Sequence, residues 1–580
     1  IIDLADGSQP MTTADGRYTV VFNGEIYNHL ELRAELQAKG RQFLTHHSDT
    51  EILLHGYAEW GPGLMNRLNG MWALAIYDAE AGTLFLSRDR FGKKPLYYAR
   101  KNGTFAFASE LKALAEHPAI PTDISPRAVE KYFAYGFIPA PLALYRVAQK
   151  LKPGCSLLLD LVSGREQVME YWRFVLEPFE DIPPNAVDTW GQTIRELLDK
   201  AVERRLMSDV PLGVFLSGGM DSSSITAMAC RHMGRGECRT LSIGFEESTF
   251  DESAYARLVA ERFATDHHHR TFRGSDPYML LLAITLGLDE PMGDSSILPT
   301  YLLCQEARRH VTVALGGDGA DELFAGYDPF RALKLAKLYS TLVPKPVHKA
   351  IRLLAAKLPV SHGYMSTVFR IQRVLLGLSY PRKLWNPTWL GPVEPKDLGD
   401  LLERPIDLED VYSEAIEAWD ACPSGSLVDR TLMFYTRLYL SDDILAKVDR
   451  ASMLHGLEVR SPYLDKDLVD FVRRIPARFK YGKGTTKRIL RQALKPVIPA
   501  TIIERSKQGF AMPIGQLLQK RVIGFSFTSA NRLMNPAFLV RKLNEHLEKK
   551  ADNRLFLWNA WLMNEMLLSQ GLINTDADNA

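Results

Sequence analysis

Leu212-Gly213-Val214-Phe215-Leu216-Ser217-Gly218-Gly219-Met220-Asp221-Ser222-Ser223 is an apolar run that ends in a Ser/Gly turn. The run is short, uncharged and bounded by turn residues, which predicts a buried strand. The stretch after it, Ser222 to Arg231, carries helical spacing. A strand, a glycine-rich turn and a helix in that order can hold an anion. The glycines let the backbone approach, the serines donate, and the helix N-terminus offers free N–H groups. A plain strand-to-helix connection has the same spelling, so the turn alone leaves both readings open. Asp221 is out of place in an anion site unless it holds a divalent cation, and Mg²⁺ takes one or two carboxylates plus phosphate oxygens. The turn lacks the Lys-Ser/Thr ending of a Walker A loop and the spacing of a Gly-x-Gly-x-x-Gly fingerprint.

Working outward, Thr240–Phe245 predicts a strand, Asp251–Ala264 a helix opened by a Thr249/Glu252 capping box, 276–288 a helix, and Val311–Leu315 a strand. Such alternation predicts a parallel sheet with right-handed crossovers. A second cluster, Gly316-Gly317-Asp318-Gly319-Ala320-Asp321-Glu322, follows the strand that ends at Leu315. Ligands sit at the carboxyl ends of parallel strands, so both clusters are expected on one crevice, with Asp221 and Asp321 sharing Mg²⁺. Dipole complementation accounts for one acidic residue at a helix start, but poorly for three in five.

Upstream, 18–22, 71–77, 84–86 and 105–107 read as short strands, with helical spacing over 30–39 and 50–60. The fold class expected is therefore α+β for a layered N-terminal domain (1–165) and α/β for a parallel-sheet domain (188–575) with a helical C-terminal part. The proline-rich stretch 166–187 is expected to link them. The chain has 580 residues, 46% hydrophobic and 24% charged, which excludes a largely disordered protein. Its 70 basic and 69 acidic residues leave +1, which gives no support for general nucleic-acid binding. Five scattered cysteines without a Cys-x-x-Cys pair exclude a disulfide scaffold and a thiolate zinc site. No apolar run approaches membrane-helix length, so a soluble, cytoplasmic protein is expected.

With these motifs in place, the chain resembles glutamine-hydrolysing asparagine synthetases and their class II amidotransferase relatives over nearly its whole length. Ser-Gly-Gly-Met-Asp-Ser at 217–222 is similar to the pyrophosphate loop of ATP pyrophosphatases, and 317–327 to that family's second signature. The stretches 447–450, 456–462 and 507–510 fit as well. Phe22-Asn23-Gly24-Glu25-Ile26-Tyr27-Asn28, Ser48-Asp49-Thr50-Glu51 and Arg88-Asp89-Arg90-Phe91-Gly92 resemble an Ntn-type glutaminase domain.

The resemblance implies ammonia release from glutamine in one domain and ATP-dependent activation of a carboxylate in the other. ATP and Mg²⁺ are implied, with glutamine or ammonia and aspartate as substrates, and a homodimer is left open. Leu216, Ile243, Gly316 and Gly317 would line the adenosine site, a role compatible with ordinary strand core for Leu216 and Ile243. Ser217, Gly218, Gly219, Asp221 and Ser222 would hold pyrophosphate and metal together with Asp321. Lys487 would reach the phosphates, and Asp318 would serve intermediate formation and ammonia attack. Asn23 and Gly24 would form an oxyanion hole, although Asn-Gly is also a hairpin signal. Glu25 and Asp49 would recognise glutamine.

Two departures carry expectations of their own. The family's nucleophile is an N-terminal cysteine, whereas this sequence starts at Ile1 and has no cysteine before Cys155. A missing segment of a few dozen residues is expected, and no glutamine hydrolysis by the chain as it stands. A natural ammonia-dependent form competes with that reading, against the presence of Asn23, Glu25 and Asp49. At 289–296, Asp-Glu-Pro-Met-Gly-Asp-Ser-Ser contains no arginine to grip a second carboxylate. Aspartate leads as acceptor, with a different carboxylate, such as a cell-envelope or exopolysaccharide-linked precursor, as the alternative. His267-His268-His269 reads as surface at a strand start, and the lysine- and arginine-rich stretch 331–373 as the solvated face of packed helices rather than a membrane-surface helix.

Overall fold

The computed structural model describes residues 1–4, 6–234, 236–245, 252–272, 277–360, 366–505, 514–519 and 533–569. The first domain contributes β1 (Met11–Thr12), β2 (Tyr18–Ile26), β3 (Gly70–Asp78), β4 (Thr83–Arg88), β5 (Tyr97–Lys101), β6 (Thr104–Ala108), β7 (Ala148–Lys150), β8 (Cys155–Asp160) and β9 (Glu166–Glu170). Six of these form one antiparallel sheet in the order β1-β2-β3-β4-β8-β9, and three form a second in the order β6-β5-β7. Alternation along β3 explains the layering. Trp72, Leu74 and Ile76 point to a core shared with the helices His29–Ala38 and Asp49–Trp60. Ala73 and Ala75 point the other way, to a core shared with Tyr98 and Phe107 of the smaller sheet. The result is a helix layer, a six-stranded sheet and a three-stranded sheet.

The second domain contributes β10 (Leu212–Phe215), β11 (Arg239–Phe245), β12 (Asp266–Phe272), β13 (Val313–Leu315) and β14 (Glu458–Arg460), all parallel, in the order β12-β11-β10-β13-β14. Both faces are covered, which is why its strands read as continuous apolar runs rather than alternating ones. Val214 and Leu315 face the main core, while Leu241, Ala314 and Val459 pack with Cys304 and Val448. The strand order reverses between β10 and β13, and that switch point is where such sheets bind ligands. Beyond β13 the described residues are mainly helical, apart from β14, and their buried side chains, Trp558 and Trp561 among them, continue the same core.

Three local readings change. The segment 166–187 starts with β9, paired to β8, and Phe174 and Leu176 are buried after it. Asn23 and Gly24 lie inside the long strand β2, opposite Ala73 and Trp72, and not in a hairpin turn. The helix expected from Asp251 runs Ser253–Phe263 with no side-chain cap from Glu252. Thr249 and the motif 507–510 fall outside the described residues.

Candidate functional site: two loops at a sheet switch point

The turn after β10 brings Ser217–Ser222 across the sheet end. Gly218 has φ +70°, and a Cβ there would collide with the backbone of Tyr255 and Ala256, so only glycine fits. Ser222 Oγ accepts from the Ser217 N–H at 3.2 Å and lies 3.1 Å from Ser217 Oγ, which closes the turn. The helix Met220–Met233 begins with no side-chain cap on its N-terminal amides, leaving them for an anion. Arg505 closes the outer side. It donates to the Gly218 carbonyl at 3.1 Å and stacks on Tyr255 at 3.9 Å.

The turn after β13 faces this loop. Gly317 is tight against Asp221, with a built Cβ 3.2 Å from the aspartate's own, and Gly316 donates its N–H to the Arg460 carbonyl at 2.8 Å. Leu216, just after β10, and Ile243, on β11, are buried beside these loops. Asp221 and Asp321, exactly one hundred residues apart in the sequence, converge on one cation. Lys487 Nζ is 2.6 Å from Asp221 Oδ2 and 2.7 Å from Asp321 Oδ1. Burial disfavours the ammonium, but the two carboxylates overcome it and hold Lys487 above its ordinary value. Its backbone sits in the left-handed region at φ +52°, a strained conformation for a lysine and one that aims the side chain between the loops.

Those carboxylates also answer whether Mg²⁺ fits. Their oxygens lie within reach of one cation, and the described residues hold no cluster of three or more metal-ligating side chains. Two carboxylates with the remaining positions left to phosphate and water is what Mg²⁺ prefers.

Asp318 looks toward the first domain. Ser461 Oγ donates to its carboxylate at 3.4 Å, and Lys93 Nζ stands 4.0 Å away while donating to Ser461 Oγ at 2.9 Å. Lys93 belongs to the loop after β4, which is folded around one carboxylate. Asp89 accepts from the N–H groups of Phe91, Lys93 and Lys94, and Arg88 braces the carbonyls of Gly92 and Lys94. Arg88 and Asp89 thus serve the loop's shape, and the loop sends two lysines across the domain boundary. Burial lowers Lys93, with Asp318 partly offsetting it. Lys94 pairs with Asp449 at 3.1 Å.

The glutaminase-type residues assemble separately. Asn23 Nδ2 donates to Ser109 Oγ at 3.1 Å, and Asp49 accepts from the Ile26 N–H at 2.9 Å. Burial, and then the neighbouring Glu25 carboxylate, push Asp49 up. Burial raises Glu25 too, opposed by Arg460, which reaches it from β14 at 3.1 Å. The two sets of site residues are therefore distinct clusters joined through β14, Ser461 and Lys93.

The cations that 289–296 lacks come from the helix Ala446–Met453. Lys447 pairs with Asp294 at 2.6 Å and donates to Ser296 at 2.8 Å, and Arg450 pairs with Asp289 at 2.7 Å. Glu290 is held by Lys150 at 2.6 Å and by the Tyr97 hydroxyl at 3.1 Å. The helix leading into this one is widened to a π-helix over Tyr435–Leu445, an uncommon form that recurs at functional sites. Lys93, Lys447, Arg450, Ser461 and Arg505 carried no role in the sequence reading. Only the 447–450 and 456–462 motifs marked the neighbourhood.

A parallel sheet with two acidic and glycine-rich loops at its switch point is thus joined to a layered α+β domain with a second, separate cluster of polar residues. The asparagine synthase family model matches residues 193–569, and a glutamine amidotransferase domain model matches residues 1–172. Glutamine-hydrolyzing asparagine synthetase 1 of Bacillus subtilis is 32% identical over 569 residues, covering 96% of this chain and 86% of that protein. Asparagine synthetase 3 of the same organism is 32% identical, covering 88% of this chain and 78% of its own length. A Penicillium rubens protein named amidase chyE is 27% identical, covering 88% and 80% respectively. The chain belongs to the asparagine synthase family, and its architecture is that of a glutamine-dependent ligase.

Proposed function

We propose that the second domain adenylates the side-chain carboxylate of L-aspartate with ATP, and that ammonia displaces AMP from the β-aspartyl-AMP to give L-asparagine. The observation that carries this reading is the convergence of Asp221, Asp321 and Lys487 at the switch point. A carboxylate is a poor acyl donor, and adenylation gives it a leaving group. The work left to the protein is positioning and charge stabilisation. The Ser217–Ser222 turn would cradle pyrophosphate, and Leu216, Ile243, Gly316 and Gly317 would shape the adenosine site. Asp221 and Asp321 would hold Mg²⁺, which supplies charge neutralisation on the phosphates. Lys487, held between the two loops, would follow the charge that develops on the phosphoryl oxygens.

Ammonia would come from glutamine at the first domain, where Asn23 and Gly24 offer an oxyanion hole and Glu25 and Asp49 the recognition of substrate. Two small cavities occupy the domain boundary. One is bordered by Tyr27, Asn69 and Ser461, the other by Tyr97, Glu290 and Asp449, and Lys93 lines both. Asp318, next to Lys93, would meet ammonia arriving by that route.

A second reading keeps the chemistry and changes the acceptor. Lys447 and Arg450, the cations brought to 289–296, are already paired with Asp294 and Asp289. A relative named as an amidase also stands at 27% identity. The test is pyrophosphate release with MgATP and ammonium, with and without L-aspartate, followed by product analysis. Aspartate-dependent pyrophosphate with asparagine supports the first reading. Release that ignores aspartate but responds to another carboxylate supports the second.

A further inference from the structure

Residues 329–373 contain nine lysines and arginines and not one aspartate or glutamate, in a chain whose charges otherwise balance to +1. The structure turns the apolar residues of this stretch outward as well. Along the helix Pro329–Leu342, Phe330, Leu333 and Ala336 face the core, while Leu335, Leu338 and Leu342 lie on the opposite side, 70%, 56% and 68% exposed. The next helix, Lys345–Ala356, buries only His348 and Ala355 and exposes Val347, Leu353 and Leu354. An ordinary surface helix puts leucines inward and charges outward. Here polar pins do the inward holding: His348 bridges Tyr339 (3.1 Å) and Ser379 (2.9 Å), and Arg352 pairs with Glu394 at 3.0 Å. Lys334, Lys337, Lys345, Lys349 and Lys357 are exposed among the outward leucines.

We propose that this pair of helices docks the protein onto the surface of an anionic lipid bilayer. Leucines facing solvent at helical spacing need an apolar phase, and the lysines between them need anions. A bilayer interface with acidic headgroups offers both within one helix width. A second copy of the chain would supply the apolar surface but would set these five exposed lysines against five more. A nucleic acid would satisfy the lysines and leave the leucines in water. No described helix is long and apolar enough to cross a membrane, so the contact is peripheral. The first helix follows directly on Tyr327 and on the helix Ala320–Phe324 that carries Asp321. Docking would therefore hold the nucleotide crevice close to the membrane.

The test is co-sedimentation of the full chain with phosphatidylcholine vesicles and with phosphatidylcholine/phosphatidylglycerol vesicles, at low and high salt. The expected result is binding to the acidic vesicles that weakens with salt and is much reduced on phosphatidylcholine alone. Leu335→Glu/Leu338→Glu should abolish it. Lys334→Ala/Lys337→Ala should reduce affinity about 25-fold, about fivefold for each cation lost. All four side chains are exposed, so circular dichroism melting of both variants should match wild type. The proposal is overturned by no sedimentation with acidic vesicles, by binding indifferent to these variants, or by a concentration-dependent dimer that Leu335→Glu/Leu338→Glu splits. Tighter binding to an oligonucleotide that survives the leucine changes would do the same.

Discussion

Replacing Lys487 by Met removes a cation that pairs with both Asp221 and Asp321 while keeping the length of the side chain. The lysine is 7% exposed and the carboxylates 23% and 19%, so the pair is neither dry nor free in water. Breaking a fully buried ion pair costs about 3–5 kcal/mol, and partial exposure of both acids should reduce that to about 1–3 kcal/mol. Millimolar Mg²⁺ should recover much of this loss if, as proposed, it binds the same two carboxylates. The catalytic loss should be larger and unrescued: withdrawing a preorganised cation from developing phosphoryl charge costs about 10²–10³-fold in kcat. Lys487→Arg keeps the charge but not the compact point geometry, and should fall between. The assay is pyrophosphate release with ammonium as nitrogen donor, beside urea denaturation with and without MgCl₂. A Met variant within about threefold of wild-type kcat would refute the role given to Lys487.

Gly326→Ala would drive a Cβ into Asp321 Oδ1 and Lys487 Cε, and should abolish pyrophosphate release while leaving far-ultraviolet circular dichroism unchanged; an active variant would show the centre to be looser than drawn. Lys94→Met strands Asp449 at the domain boundary, and should cost about 3–5 kcal/mol in urea denaturation, with a loss below about 1 kcal/mol counting against a buried pair there. Asp49 has a folded-state pKa raised by burial and by Glu25, so the folded state loses stability as pH rises from the ordinary carboxylate range through that raised value. Asp49→Asn should remove this slope, and its thermal midpoint should fall less than that of wild type between acid and neutral pH; parallel profiles would contradict the shift.

The sequence carried the phosphate turn, the acidic cluster and the parallel alternation because each is local: a run, a turn and a helix start within a dozen residues. It placed Asp221 beside Asp321 through a topological rule rather than through spacing, and the sheet order β12-β11-β10-β13-β14 provides the switch point that rule needs. The partners of Asp289, Asp294 and Asp318 were hidden because they arrive from helices and loops more than a hundred residues away. No arginine within 289–296 did not mean none beside it. The 88–92 motif was legible as part of the first domain, but its spelling did not reveal that Arg88 and Asp89 hold a loop that reaches the other domain. The stretch 331–373 shows a different limit. Periodicity reveals that a helix has two unlike faces, but not which one the protein turns inward. That choice is made by Tyr339, His348 and Arg352, which tie the helices down by polar contacts.

The central claim is that the crevice at the β10/β13 switch point transfers AMP to a carboxylate. Incubating the protein with MgATP, ammonium and aspartate labelled with ¹⁸O in its side-chain carboxylate tests it directly. One labelled oxygen should appear in AMP, with pyrophosphate released in equal amount. Formation of ADP and phosphate, or of unlabelled AMP, would contradict it.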